Sequence, residues 1–242
     1  MHFLDQRGRL GRGLLMSACA LAGLGLASVG NALAAEQSQP IVVELFTSQG
    51  CSSCPPANAN LALLSDRPGI LALSFGVTYW DQLGWKDTFA KPEFTDRQIT
   101  YETPLNQKGP FTPQMVVDGR SDVVGNRLPE VEELIAATPR KDQPTLSFAD
   151  SKISIGAGQA PTQRADVWLV GYDPRLVEVP VRRGENGGRT LPHKNVVHRL
   201  EKIGTWSGAA SSIALPSIEA GLSVAILVQA PGGGAIIAAA TR

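Results

Sequence analysis

Residues 41–64 read IVVELFTSQGCSSCPPANANLALL, and this stretch decides how the chain is organised. Residues 41–46 are β-branched, apolar or aromatic apart from Glu44, and the run is short enough for a buried strand. TSQG then turns the chain. Pro55 and Pro56 lack backbone donors, which a helix tolerates in its first turn, where those donors have no partner. From there Ala57, Leu61 and Leu64 recur at i, i+4 and i+7, an apolar stripe that stops near DRPG. The run ILALSFGVTYW (70–80) follows as a second strand. Strand, helix and strand in this order predict a βαβ unit with a right-handed crossover.

The whole chain has 242 residues, 43% hydrophobic and 18% charged, which suits one or two globular domains. Lys plus Arg and Asp plus Glu balance at 22 each, and no dense basic run points to a polyanion. Aromatic–basic interleaving of the kind that reads nucleic acid is missing. PGGGA near residue 233 leads into an apolar run without the Lys-Ser/Thr of a phosphate loop, so no cofactor is expected. At the start, Arg7, Arg9 and Arg12 precede the apolar run GLLMSACALAGLGLASVG, and Ala32-Leu33-Ala34 supplies small residues for cleavage. Residues 1–34 therefore read as a secretory signal, with a periplasmic or secreted mature chain and no stable membrane span after cleavage.

Export leaves Cys51 and Cys54 as the cysteines of the mature chain, in a compartment where disulfides persist. Three uses of the spacing stand side by side. A structural bond would close a very small ring and constrain the unfolded chain little. A metal clip would need partners, and His193 and His198 are the candidates for a copper or zinc site. A redox pair would exploit the helix start, whose dipole and unpaired donors favour a thiolate. Cys51 is then the nucleophile and Cys54 the resolving residue, with Ser52 and Ser53 as hydroxyl donors to the anion.

Further on, the polar-aromatic segment 80–109 reads as an insertion with a short helix at 92–102. PQMVVDGRSDVVG reads as a hairpin around Asp118-Gly119, and LPEVEELIAAT as a helix ended by Pro139. PRKDQPT marks the expected domain boundary. Beyond it TLSFADSKISI, ADVWLVGYD, LVEVPVRR, SSIALPS and LSVAILVQA read as strands, interrupted by the longer segment RGENGGRTLPHKNVVHRLEKIGTW. The basic residues of that segment read as a solvated loop.

With FTPQMVVDG about sixty residues after the cysteines, the sequence resembles the thioredoxin superfamily. The resemblance covers residues 40–140 and implies an α/β thioredoxin-like N-terminal domain carrying the 80–109 insertion. A C-terminal antiparallel, sandwich-like β-rich domain would follow over 144–242. It also implies a Cys51–Cys54 disulfide, a cis peptide before Pro113, and Thr112 backbone free to pair with a substrate chain. Glu44 is carried over as a buried proton acceptor, one residue further from the first cysteine than in that pattern. Gly50 before Cys51 and Ser-Ser between the cysteines depart from ordinary thioredoxins. The segments ELFTSQGCSSCPP, YWDQLGWKDTFA, RQITYE, TPQMVVDG and GENGGRTLPHKNVVHRL resemble an exported bacterial family of this length, catalogued as a domain of unknown function.

The expected site thus comprises Cys51, Cys54, Pro113 and Glu44, with Thr112, Trp80, Asp81 and Trp85 as a rim that contacts substrate. The expected activity is thiol–disulfide exchange with protein thiols and a redox partner. The alternatives are an envelope scaffold with a structural bond and a copper or zinc handler.

Overall fold

β1 (Ile41–Thr47) is buried along its whole length, as its apolar composition demands. In the computed structural model, which describes residues 39–139, 142–159 and 161–242, it is an interior strand of the main sheet. The expected signal, residues 1–34, lies outside the described residues. The chain continues through α1 (Pro55–Ser65), β2 (Ile70–Gly76), α2 (Pro92–Thr100), β3 (Gln114–Val117), β4 (Ser121–Val124) and α3 (Leu128–Ala137). Then come β5 (Leu146–Ala149), β6 (Lys152–Ile155), β7 (Ala165–Pro180), β8 (Thr190–Trp206), β9 (Ser211–Ala214), β10 (Ser223–Gln229) and β11 (Ile236–Thr241).

β1 and β2 run parallel across α1, and β3 joins β1 antiparallel with Phe46 opposite Gln114. The alternation of β1 separates two cores. Val43 and Leu45 face Ala57, Leu61 and Leu64 of α1, with Met115 and Val117 beside them. Val42 and Phe46 face the other way, onto Phe75, Phe94 and Tyr101 and the strand residues Val170, Val197 and Leu227. Each such fully buried large side chain contributes roughly 1.5–3 kcal/mol relative to exposure.

That second core draws on both halves of the sequence, and here the expected architecture is corrected. An α/β thioredoxin-like domain followed by a separate sandwich-like β domain is not what forms. The strands build one mixed sheet of eight, in the order β11-β10-β7-β8-β2-β1-β3-β4, and the described residues contain three short α-helices. The described residues form a single compact unit. The join is β8, which pairs parallel to β2 at Ser74–Val196, while Asn195 Nδ2 donates to the Ala72 carbonyl at 2.8 Å.

β8 is the stretch read as an interrupting loop. Its composition is polar and basic, but Leu191, His193, Asn195 and Val197 alternate inward and are buried. The runs ADVWLVGYD and LVEVPVRR are likewise one strand, β7, with a register shift between Asp173 and Leu176. Pro174 sits in that irregularity, where a missing donor removes no ladder bond. A second antiparallel sheet, β5-β6-β9, supplies Ile153, Ile155 and Ile213 to a third cluster with Val167, Leu169, Trp206 and Ile226. Among the described residues no helix is long and apolar enough to cross a membrane.

Burial of His193 has a consequence for stability. Its ring packs edge-on against Phe89, Nε2 has no hydrogen-bond partner, and burial lowers its pKa from 6.5 to about 4. Between those values the unfolded chain holds a proton that the native one lacks, so stability rises with pH and is complete above 6.5. Urea midpoints should fall as pH drops from 6.5 to 4, equivalent to about 3 kcal/mol. His193→Leu should show a flatter profile; an unchanged slope in that variant would contradict the assignment.

Candidate functional site

The carboxyl end of β1 delivers the chain into a tight loop closed by the Cys51–Cys54 disulfide, whose Cα atoms lie 5.5 Å apart. Cys51 N–H donates to the Ser48 carbonyl and Cys54 N–H to the Cys51 carbonyl. Cys54 then caps α1, and its carbonyl accepts from both Ala57 N and Asn58 N. Pro55 and Pro56 have no N–H to offer. The first amides of the helix are therefore absent or already bonded, and the expected backbone cradle for a Cys51 thiolate is not there. The dipole remains. The donor that reaches sulfur is the Ser53 hydroxyl, 3.3 Å from Cys51 Sγ, and it must donate because a disulfide sulfur carries no hydrogen. Ser52 turns its N–H to Glu185 Oε2 instead, at 3.1 Å.

Of the expected rim, Trp80 and Thr112 come together: Trp80 Nε1 donates to Thr112 Oγ1 at 2.8 Å. The Thr112–Pro113 peptide is cis, and Pro113 is buried immediately before β3. Trp80 also packs on the cysteine loop, since a Cβ on Gly50 would lie 3.3 Å from its Cβ. Trp85 reaches the same loop through Nε1, which donates to Gln49 Oε1 at 2.9 Å. Asp81 acts at one remove: its Oδ1 accepts from Asp87 N, and Asp87 Oδ2 accepts from Gln49 N at 2.7 Å.

Glu44 is not brought to the cysteines. Alternation along β1 puts it on the face opposite α1, where Arg97 donates to both its oxygens, Nε at 2.6 Å and a terminal nitrogen at 3.0 Å. The Tyr101 hydroxyl donates to the same carboxylate, and Gln229 Nε2 in turn donates to Tyr101 at 3.0 Å. Burial alone would lower the pKa of Arg97; the adjoining Glu44 carboxylate outweighs it and holds the guanidinium charged. Burial raises the Tyr101 hydroxyl well above its ordinary value. His193 and His198 flank the Phe89 ring, and no group of three or more metal-binding side chains occurs among the described residues.

Four residues at the site escaped the sequence reading. Gln49 is the hub: its amide also engages Thr88, through Nε2 to the hydroxyl at 2.9 Å. Asp87 is buried, which raises its pKa against the lowering effect of the Gln49 and Phe89 amides. Asn58, one helical turn after Cys54, accepts from Thr47 Oγ1 while its Nδ2 has no partner. Asn186 comes from the far half of the chain and donates to the carbonyls of Gln49 and Cys51 at 3.0 and 2.8 Å. Asp87 and Asn186 lie inside WKDTFA and GENGGRTLPH, so the signal was a polar residue within an already suspect segment.

Both cysteines have 0% exposure, although Ser52 and Ser53 between them are exposed.

The pattern of the family described as Protein of unknown function (DUF1223) matches residues 42–229. A protein from Agrobacterium tumefaciens solved by X-ray crystallography is 32% identical, with 86% of this chain and 95% of that chain aligned at a TM-score of 0.71. HBP35 of Porphyromonas gingivalis overlaps in fold at a TM-score of 0.56 and 13% identity, over 85% of this chain and 75% of that one. No curated protein matches significantly.

Two substitutions separate the roles of the polar groups. Glu44→Gln should cost about 3–5 kcal/mol in urea unfolding, because Arg97 stays buried without its counter-charge, and should leave the Cys51 thiol pKa unchanged. Ser53→Ala should do the reverse, raising that pKa by about one unit, read from the pH dependence of alkylation, with little loss of stability.

Proposed function

The chain belongs to DUF1223, a family defined without an activity, and from its own site we propose that it is a thiol–disulfide oxidoreductase of an oxidising, extracytoplasmic compartment. The observation that carries this reading is the investment around so small a ring. A bond between residues three apart gives little chain-entropy stabilisation. Yet Gln49, Asp87, Trp80, Trp85 and Asn186, from three separate segments, orient the loop that holds it. Fixing a reactive group through surrounding side chains is how sites reach productive geometry.

In the disulfide form, a substrate thiolate attacks Sγ of Cys51, forming a mixed disulfide and expelling Cys54 as a thiolate. A second thiolate of the substrate then attacks the mixed disulfide, leaving as a substrate disulfide while Cys51 departs as thiolate. Two electrons pass from substrate to the pair, and the reverse sequence reduces a disulfide. The Ser53 hydroxyl stabilises the Cys51 anion. Protein dithiols are the proposed substrates, with Trp80 and Thr112 at the rim.

A second reading, a scaffold whose bond only locks the helix start, is favoured by the burial of both sulfurs. One experiment divides them. Under a glutathione redox buffer the wild type should accelerate oxidation of a fluorescent dithiol peptide, and Cys51→Ala should not. Offered the disulfide form of that peptide, reduced Cys54→Ala should accumulate a mixed disulfide through Cys51, because the resolving thiol is gone. No acceleration and no trapped adduct would leave the scaffold.

A further inference from the structure

We propose that the tip of the β7–β8 hairpin, residues 182–188, is a gate over the disulfide, latched by Asn186 and held a second time by Glu185. The proposal rests on the redox reading and adds what controls access to it. The tip is exposed at every position except Asn186, which has 0% exposure. A lone buried amide in an exposed turn is there for its bonds: Nδ2 serves the Gln49 and Cys51 carbonyls, and Oδ1 accepts from Arg189 at 2.7 Å. Beside it, the Glu185 carboxylate accepts from Ser52 N–H between the two cysteines. The tip therefore grips the loop on its backbone and leaves the sulfurs free to react once it lifts.

The rest of the contact suits a part that moves. Gly184 lies against the turn at 83–85, where its added Cβ would meet Trp85 Cβ at 3.3 Å and the Leu83 carbonyl at 3.4 Å. Gly184 and Gly188 bracket Asn186 with φ of 74° and 79°, values that favour glycine. Below them, Val181 N–H to the Arg189 carbonyl and Gly188 N–H to the Val181 carbonyl close the hairpin, so the tip can swing without unzipping β7 from β8. An opening that breaks a few side-chain bonds is sub-global and far more frequent than unfolding. With the tip down, the backbone at Gln49, Cys51 and Ser52 is pinned and Cys51 is buried; with it up, Cys51 meets a substrate thiolate.

Access is measured without any assumption about activity, from the pseudo-first-order rate at which excess dithiothreitol reduces the Cys51–Cys54 bond in the full chain. Asn186→Ala should raise that rate about tenfold or more, since two buried hydrogen bonds are lost. Glu185→Ala, in the exposed turn, should raise it by a smaller factor and serves if the first variant folds poorly. Lys202→Ala removes the Lys202–Asp166 ion pair at the opposite end of the same hairpin, away from the tip, and should leave the rate near wild type. Equal acceleration in all three, or none in the two tip variants, would overturn the gate. Peptide oxidation and trapping by Cys54→Ala report separately on the redox reading, so faster reduction without catalysis would keep the gate and remove the enzyme.

Discussion

The pairing of β8 with β2 is the constraint on which the remainder depends. β2 closes the βαβ unit, and its free edge would offer unpaired backbone groups to any passing strand. β8 covers it, parallel at Ser74–Val196 and reinforced by Asn195 on Ala72. Once β8 is fixed there, β7 must follow as its antiparallel neighbour, and β10 and β11 continue the sheet outward. The turn joining β7 to β8 then falls beside the carboxyl end of β1, so Asn186 reaches a loop 135 residues earlier in the chain. The placement of that side chain is a product of sheet topology and not of local sequence.

Charge inside the same sheet serves a different end. Glu44, Arg97, Tyr101 and Gln229 bind β1, the end of α2 and β10 into one hydrogen-bonded group without exposure to solvent. Arg97 lies within 6 Å of the ring centroids of Phe75, Tyr101 and Trp168, which pack around its guanidinium. A buried ion pair adds little net stability over an apolar replacement, but its geometry is unforgiving. It fixes how α2 and β10 sit against β1 from the face away from the cysteines. An acid in an apolar strand is thus an architectural element here.

Local pattern made the first half readable. The alternation of β1, the prolines opening α1, the stripe Ala57-Leu61-Leu64 and the Asp118-Gly119 turn each follow from chemistry within a few residues. The disulfide also lay where the motif placed it, whereas the hydrogen bond from Trp80 to Thr112 had no counterpart in the motif. What stayed hidden was long-range. β8 carries Lys194, Asn195 and His198 where a core strand would carry valines, because one of its flanks meets a polar site and another lies near solvent. Glu44 was legible as a buried acid, but the identity of its partner depended on which face α2 covers. The hub role of Gln49 left no trace in periodicity, since its partners Trp85, Asp87 and Thr88 arise from an irregular segment.

The consecutive prolines after Cys54 have one more effect. By deleting two amides at the start of α1, they leave the Ser53 hydroxyl as the donor within reach of Cys51 Sγ. A backbone cradle is common to every sequence with the fold and resists change. A side-chain donor is replaceable by one codon without disturbing any ladder or core. On the proposed redox reading, the balance between the disulfide and the dithiol is then adjustable at one exposed position while the framework stays the same.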